Sequence, residues 1–166
     1  IEAEHTPQLN RELASGEEGF WFASGDLGFV DETGELFVLG RKSDLVLVGE
    51  KQIFPHHIEA AVNKAAELLG GIHIRKGNTT AFLSSREDKG KLAIAIELRG
   101  DCAASVIMKN AVAKIITKEI RHQFHMDDSI IVHFLPQRSA IRTSSGKLER
   151  IRTGYAVENG VIKGVE

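Results

Sequence analysis

The chain has one cysteine among its 166 residues, Cys102, so no disulfide can close within it. It also lacks an excess of either charge: 21 Lys and Arg stand against 23 Asp and Glu, a formal net charge of −2. Binding nucleic acid by bulk charge needs a basic surplus, so nucleic acid is not an expected partner. There is no charged-then-apolar leader, and no apolar run approaches the ~18 residues that span a bilayer. A cytoplasmic protein without a membrane span is therefore the expectation. The first residue is Ile1 rather than Met, which leads us to expect a fragment of a longer chain. What is present is a globular composition, 42% hydrophobic and 27% charged, sufficient to bury a core.

Residues 1 to 19 are polar and show no steady period, which predicts irregular surface or linker. From Phe20 onward, Leu27 to Val30 and Glu35 to Leu39 flank Asp31-Glu32-Thr33-Gly34, a β-hairpin signature. A second hairpin is expected from Asp44 to Val48, through a polar turn over 49 to 52, into Ile53-Phe54. Pro55 suits the first turn of a helix, and Ile58, Ala61, Val62, Ala65, Leu68 and Leu69 form its apolar stripe before Gly70-Gly71. Strands are expected over 72 to 76, 79 to 84 and 92 to 98. In the last, Leu92, Ile94, Ile96 and Leu98 alternate with smaller or charged residues, whose face is read as a second, helix-packing face. Asp101 is the expected N-cap of a long helix reaching Phe124, with Met108, Val112, Ile115, Ile116, Ile120 and Phe124 as its stripe. A strand over 130 to 135, a flexible polar loop over 143 to 147 and a short helix from Leu148 to about Tyr155 complete the chain. The fold class expected is α+β, a small mixed sheet flanked by helices and preceded by a β-hairpin from another domain.

Several familiar signatures are incomplete. Ser145-Gly146-Lys147 ends like a phosphate-binding P-loop, yet position 141 is Ile and position 148 is Leu, so both the cradle and the magnesium hydroxyl are missing. His122, His125, Asp127 and Asp128 sit at a helix end and read as a solvated terminus; His56 and Glu59 lack a third ligand and read as an exposed pair. No metal-ligating residues are assigned. Asn78-Thr79-Thr80 is a sequon of consequence only in a secreted protein. Three segments remain. Asp26, after Gly25, is placed to accept hydrogen bonds from a diol, or to bond its own turn. Arg41, after Gly40, offers a fixed charge for ribose or phosphate, or a solvated surface. The loop 143 to 147 offers hydroxyls, a glycine and the Lys147 ammonium, a group suited to offset charge on a transferring phosphoryl.

In their order and spacing, Ser24-Gly25-Asp26-Leu27-Gly28-Phe29, Gly40 to Val48, Phe54 to Glu59 and Thr143 to Arg150 resemble the C-terminal end of the acyl-adenylate-forming superfamily, over about residues 20 to 155. Within it the motifs are most similar to fatty acyl-AMP ligases, with acyl-CoA synthetases and peptide-synthetase adenylation domains next. The resemblance implies that 1 to 42 end a large N-terminal domain and 43 to 166 form a mobile lid. It implies that Asp26 holds ribose hydroxyls, Arg41 contacts the nucleotide, Lys147 closes over the acyl carboxylate and the α-phosphate, and Lys42, Ser43 and Asp44 are the hinge. The implied reaction joins a fatty acid to ATP, assisted by magnesium held mainly by the nucleotide and the large domain, to give acyl-AMP and pyrophosphate. The acceptor implied is the thiol of an acyl carrier protein, with coenzyme A as the synthetase alternative. The chain alone is expected to be inactive, since the acyl pocket of such enzymes lies upstream. It departs from the family pattern at Ile141-Arg142, where Pro-Lys is usual, at Glu50, where Gly is usual, and at Ser43. A different class, a non-catalytic carrier-docking module, is suggested by the face Asn110, Lys114, Lys118 and Arg121 on the long helix.

Overall fold

The computed structural model describes residues 9–12, 18–68, 74–86, 90–100, 105–126 and 130–164. The chain divides into two compact units, Ile1–Asp44 and Leu45–Glu166. In the first, β1 (Leu9–Glu12) pairs antiparallel with β2 (Glu18–Phe22), and β3 (Asp26–Val30) pairs antiparallel with β4 (Leu36–Arg41). The β1–β2 pairing corrects the expectation of an irregular segment over residues 1 to 19. Backbone pairing there does not need an apolar alternation, which is why the pattern gave no sign of it.

The turn between β3 and β4 follows from its residues. Gly34 sits at φ 87 and donates its N–H to the Asp31 carbonyl at 3.1 Å, while the Asp31 N–H returns to Glu35 O at 3.0 Å. Asp31 Oδ1 accepts from the Thr33 hydroxyl and from the Thr33 and Glu35 amides, which holds its carboxyl below the usual range. Further along, the register shifts by one residue between Leu27 and Gly28. A Cβ at Gly28 would lie 2.5 Å from the Phe37 carbonyl oxygen, so only glycine fits that bulge.

The second unit opens with a hairpin of β5 (Val46–Val48) and β6 (Lys51–Ile53), turning through two residues, Gly49 at φ 59 and Glu50. Helix α1 (Pro55–Leu68) follows, then β7 (Thr80–Leu83), β8 (Leu92–Glu97), α2 (Val106–Phe124), β9 (Ile131–Leu135) and α3 (Arg150–Glu158). β8 is the central strand, antiparallel to β7 and parallel to β9. The fold is thus a small α+β unit with a mixed sheet between helices, as the periodicities predict.

The sheet is covered on both faces by different means. Leu92, Ile94 and Ile96 join Ile58, Ala61 and Val62 of α1 and Val112, Ile116 and Ile120 of α2 in the main core. On the other face Ala93 and Ala95 leave room for Phe82, Leu135 and Val157 of α3. Every residue of β8 is buried, so the face read as helix-packing is one.

Three further expectations change. The strand over 72 to 76 reduces to one bridge, Ile74 with Leu98; residues 72 and 73, like Leu69 and Gly70-Gly71, lie outside the described residues. The cap of α2 is Ser105, whose hydroxyl accepts the Met108 amide at 3.3 Å; Asp101 lies outside the described residues, as do Asp127 and Asp128. At the other end His125 turns left-handed at φ 50, and Lys51 donates to the carbonyls of Phe124, at 2.8 Å, and His125, a cation on a helix C-terminus. Helix α3 starts two residues later than expected, because Leu148 and Glu149 are engaged in pairing described below.

Gly154 lies in α3 against Phe82, where an added Cβ would meet the ring at 2.7 Å. Alanine is ordinarily favoured over glycine in a helix by about 1 kcal/mol. Here Gly154→Ala is expected instead to destabilise by roughly 1–3 kcal/mol through overpacking, read from the urea midpoint. A second prediction concerns His133, which stacks on Phe82 at 6.3 Å and whose burial lowers its pKa against the opposing pull of Glu158. The folded chain resists protonating it, so this contribution is full above its ordinary value of 6.5 and falls as pH drops below that. The urea midpoint of His133→Phe is expected to vary less with pH than that of the parent from 6.5 down to about 5.

Candidate functional site

The first unit brings together two of the residues singled out in the sequence. Asp26 and Arg41 are cross-strand partners at the open end of the β3–β4 hairpin, with Arg41 Nε 3.7 Å from Asp26 Oδ1. Both remain accessible, with side-chain exposures of 39% and 70%. The end of the hairpin is set by short-range bonds: Asp26 N–H donates to Ser24 Oγ at 3.1 Å and Lys42 N–H to the Gly25 carbonyl at 2.8 Å, with Gly25 at φ 76. A carboxylate and a guanidinium side by side and wet present an acceptor and a forked donor to one ligand, as a ribose and its phosphate would require. Lys42–Asp44 then forms a single 3-10 turn with no buried residue, in which Ser43 Oγ lies 3.3 Å from Asp44 Oδ1.

Lys147 belongs to the second unit, and its surroundings correct the expectation of a flexible loop. Arg142 bridges to Leu148, Glu149 N–H donates to Ile141 O at 2.9 Å, and Thr143 N–H to Lys147 O at 2.8 Å. Gly146, at φ 83, donates to Thr143 O at 2.9 Å. This is a three-residue hairpin with glycine in the left-handed position, the same construction as Asp31 to Glu35. Thr143 Oγ1 takes the part of Asp31: it accepts the Lys147 amide at 3.0 Å and lies 2.9 Å from Ser145 Oγ. Lys147 is therefore the first residue of the returning arm, exposed on an ordered backbone.

Two carboxylates not singled out as site residues in the sequence fasten this hairpin to the fold. Glu59, expected as half of an exposed pair with His56, is buried, and Arg150 grips it through Nε and Nη2, both at 2.7 Å. Glu59 Oε1 also accepts the Ala81 amide at 3.2 Å, so one side chain ties α1, β7 and the start of α3. The signal was available, since Glu59 falls at helical spacing with Val62 and Ala66 on the buried stripe, where a carboxylate needs a partner. The second is Glu97 at the end of β8, fully buried, accepting from Asn78 Nδ2 at 2.6 Å and from the Ala140 amide at 3.0 Å. Asn78 is thereby buried, and as a structural residue it is closed to glycosylation in the folded chain.

On α2, Asn110, Lys114, Lys118 and Arg121 lie along one side, and an open groove of about 410 Å³ is lined by Ala113, Lys114, Thr117, Lys118 and Arg121. Among the described residues no group of three or more His, Cys, Asp and Glu stands close enough to hold a metal ion. Nor is any helix among them long and apolar enough to cross a membrane.

No protein-family model matches the chain, and no curated protein matches it in sequence. Solved structures do. The chain is similar to one structure solved in a study of fatty acyl-adenylate ligases from E. coli and L. pneumophila, with 25% identity and a TM-score of 0.65 over 89% of this chain and 23% of that one. It is also similar to McyG, an A-PCP protein solved with phenylalanyl-adenylate (20%, TM-score 0.62, 87% and 24%). A third is O-succinylbenzoate coenzyme A synthetase from Bacillus subtilis, solved with AMP (22%, TM-score 0.55, 83% and 25%). The chain spans about a quarter of each, and the part matched is C-terminal. The small α+β fold of the chain matches the C-terminal domain of adenylate-forming enzymes.

Removing Arg150 strips the buried Glu59 carboxylate of its guanidinium and leaves it, among the described residues, the Ala81 amide. Arg150→Ala is expected to destabilise the second unit by about 2–4 kcal/mol, and Glu59→Gln in the same background to recover part of it. Urea unfolding of the two variants and their parent checks both.

Proposed function

We propose that the chain is the C-terminal part of an enzyme that activates a fatty acid with ATP, forming acyl-AMP and pyrophosphate for transfer to a carrier-protein thiol. The observation that carries this reading is Lys147, an exposed cation fixed by its hairpin, in a chain similar over 89% of its length to fatty acyl-adenylate ligases. A carboxylate attacking the α-phosphorus gathers negative charge on both partners, and a point cation held at the meeting place offsets it. Asp26 is assigned to the ribose hydroxyls and Arg41 to the nucleotide, supported by their pairing at one hairpin end.

Lys42, Ser43 and Asp44 are assigned as the hinge between large domain and lid. They form one turn with no buried residue, and a few accessible backbone positions suffice to absorb a domain rotation. The hairpin β3–β4 also supports a covering domain upstream. Phe29, Val30, Leu36, Phe37 and Val38 are all exposed on it, and a two-stranded ribbon is marginal alone. Magnesium is assigned to the nucleotide and the large domain; among the described residues no three or more His, Cys, Asp and Glu stand close enough together to hold it.

For the acceptor, carrier protein is favoured over coenzyme A by two features. Glu50 stands exposed in the β5–β6 turn, where a carboxylate repels phosphates at close approach, and the α2 face carries Lys114, Lys118 and Arg121, suited to an acidic partner.

In the enzyme that contains this chain, fatty-acid-dependent pyrophosphate exchange is expected, while the chain by itself stays at background. Lys147→Ala is expected to lower single-turnover adenylation by at least about a hundredfold with a smaller effect on ATP binding. Asp26→Ala is expected to raise the KM for ATP. Unchanged adenylation in Lys147→Ala would overturn the assignment, and rapid thioester formation with coenzyme A would move the enzyme to the synthetases.

A further inference from the structure

Arg142 stands at the foot of the Lys147 hairpin and is one of the chain's departures from the family pattern. Its guanidinium donates to the Gly146 carbonyl at 2.7 Å, to the Gly77 carbonyl at 2.6 Å and to Asn78 Oδ1. A lysine ammonium at the same place lacks the fork that spans these acceptors. Asn78 is held in turn: its Nδ2 donates to Glu97 Oε2, so carboxylate and guanidinium together fix which end of the amide faces which. Glu97 Oε1 accepts the Ala140 amide, two residues before Arg142 on the same arm of the hairpin, and Arg75 Nη1 lies 3.9 Å from Oε2. Gly77, at φ 76, closes the turn from Arg75 to Asn78 that presents both acceptors.

A single carboxylate, fully buried at the end of the central strand, is thus the common origin of two paths to the hairpin. One runs directly to the backbone at Ala140. The other runs through Asn78 and Arg142 to Gly146, the residue before Lys147. We propose that Glu97 is a positioning residue for Lys147, setting through Ala140, Asn78 and Arg142 the hairpin on which the lysine stands. The assignment rests on the reading of Lys147 as the charge-offsetting group. A buried carboxylate is costly unless its acceptors are filled, and here the donors that fill them are the groups that must stay in place for the lysine to be presented.

The hydrogen-bond directions supply a test. In Glu97→Gln one amide end faces a donor, either Ala140 N–H or Asn78 Nδ2, and one bond is lost. The double variant combines Glu97→Gln with Asn78→Asp. There the new amide on β8 donates to the new carboxylate and still accepts from Ala140, while the second oxygen of that carboxylate still accepts from Arg142. Arg142→Lys loosens the same path from the exposed side, without touching the core. Amide hydrogen exchange of the full chain is measured for all three. In Glu97→Gln and in Arg142→Lys, the Thr143, Gly146 and Lys147 amides are expected to exchange about tenfold faster while those of Ile94 and Ile96 in β8 hold, and the double variant is expected to recover most of the protection.

In the enzyme that contains this chain, Glu97→Gln is expected to lower the kcat of adenylation by about tenfold with the KM for ATP within about twofold, and the double variant to restore it. Hairpin amides that stay protected in Arg142→Lys, or that speed up in Glu97→Gln only in step with β8, overturn the proposal, as does a double variant without recovery. If Lys147→Ala leaves adenylation intact, the reading of Lys147 fails on its own, and the exchange data still decide whether Glu97 sets the hairpin.

Discussion

The second unit depends on a strand that is covered on both sides. With six residues of β8 buried, each face must be closed by something, and residue size decides what fits. Leucine and isoleucines on one face call for the long stripes of α1 and α2; two alanines on the other admit Phe82 and the short α3, close enough that Gly154 cannot carry a Cβ. Helix lengths of 14 and 19 residues against 9 follow the same asymmetry. The large aliphatic face is where most of the hydrophobic stabilisation lies, at roughly 25 cal/mol per Å² of apolar surface buried.

That closure leaves little tolerance for polar groups, and the ones admitted are placed at the edges of the layers. Glu59 and Glu97 are the buried acidic side chains among the described residues, and each is filled by donors from segments far away in sequence. Neither pair adds much net stability over an apolar replacement, by the general behaviour of buried charges. What they add is register. A helix that arrives one residue out of step leaves a carboxylate without its donors, so the position of α3 and of the hairpin before it is fixed by polar geometry where the small alanine face alone would permit sliding.

How much of this is legible in the sequence varies with the length of the signal. The alternation in 92 to 98 and the stripes of α1 and α2 appear directly as spacing, because a helix or strand that buries one face must repeat; at the start of α2 the stripe fails, Met108 being exposed and Lys109 buried. The two glycine hairpins make the contrast. Asp31-Glu32-Thr33-Gly34 and Thr143-Ser144-Ser145-Gly146 share one construction, yet only the first lies between apolar runs, so the second reads as a loop until its hydrogen bonds are seen. β1 and β2 escape notice for a similar reason. The bond between Glu59 and Arg150 spans 91 positions, and no local pattern encodes it; only the place of a carboxylate on a buried stripe points to a missing partner. Asp26, Arg41 and Lys147 are proposed as site residues on motif order rather than on physics, and the cross-strand pairing of the first two adds a geometric reason for their company.

The hairpin bearing Lys147 is suspended between two anchors, Ala140 on Glu97 and Arg150 on Glu59. Between those points its backbone is cross-bonded on itself, so the span has almost no slack. If Lys147 acts as proposed, such a span favours delivery by the swing of its own side chain and the movement of the unit over loop fluctuation. In the role proposed for Lys147, its approach to a substrate would therefore keep the time of a domain movement rather than that of a loop.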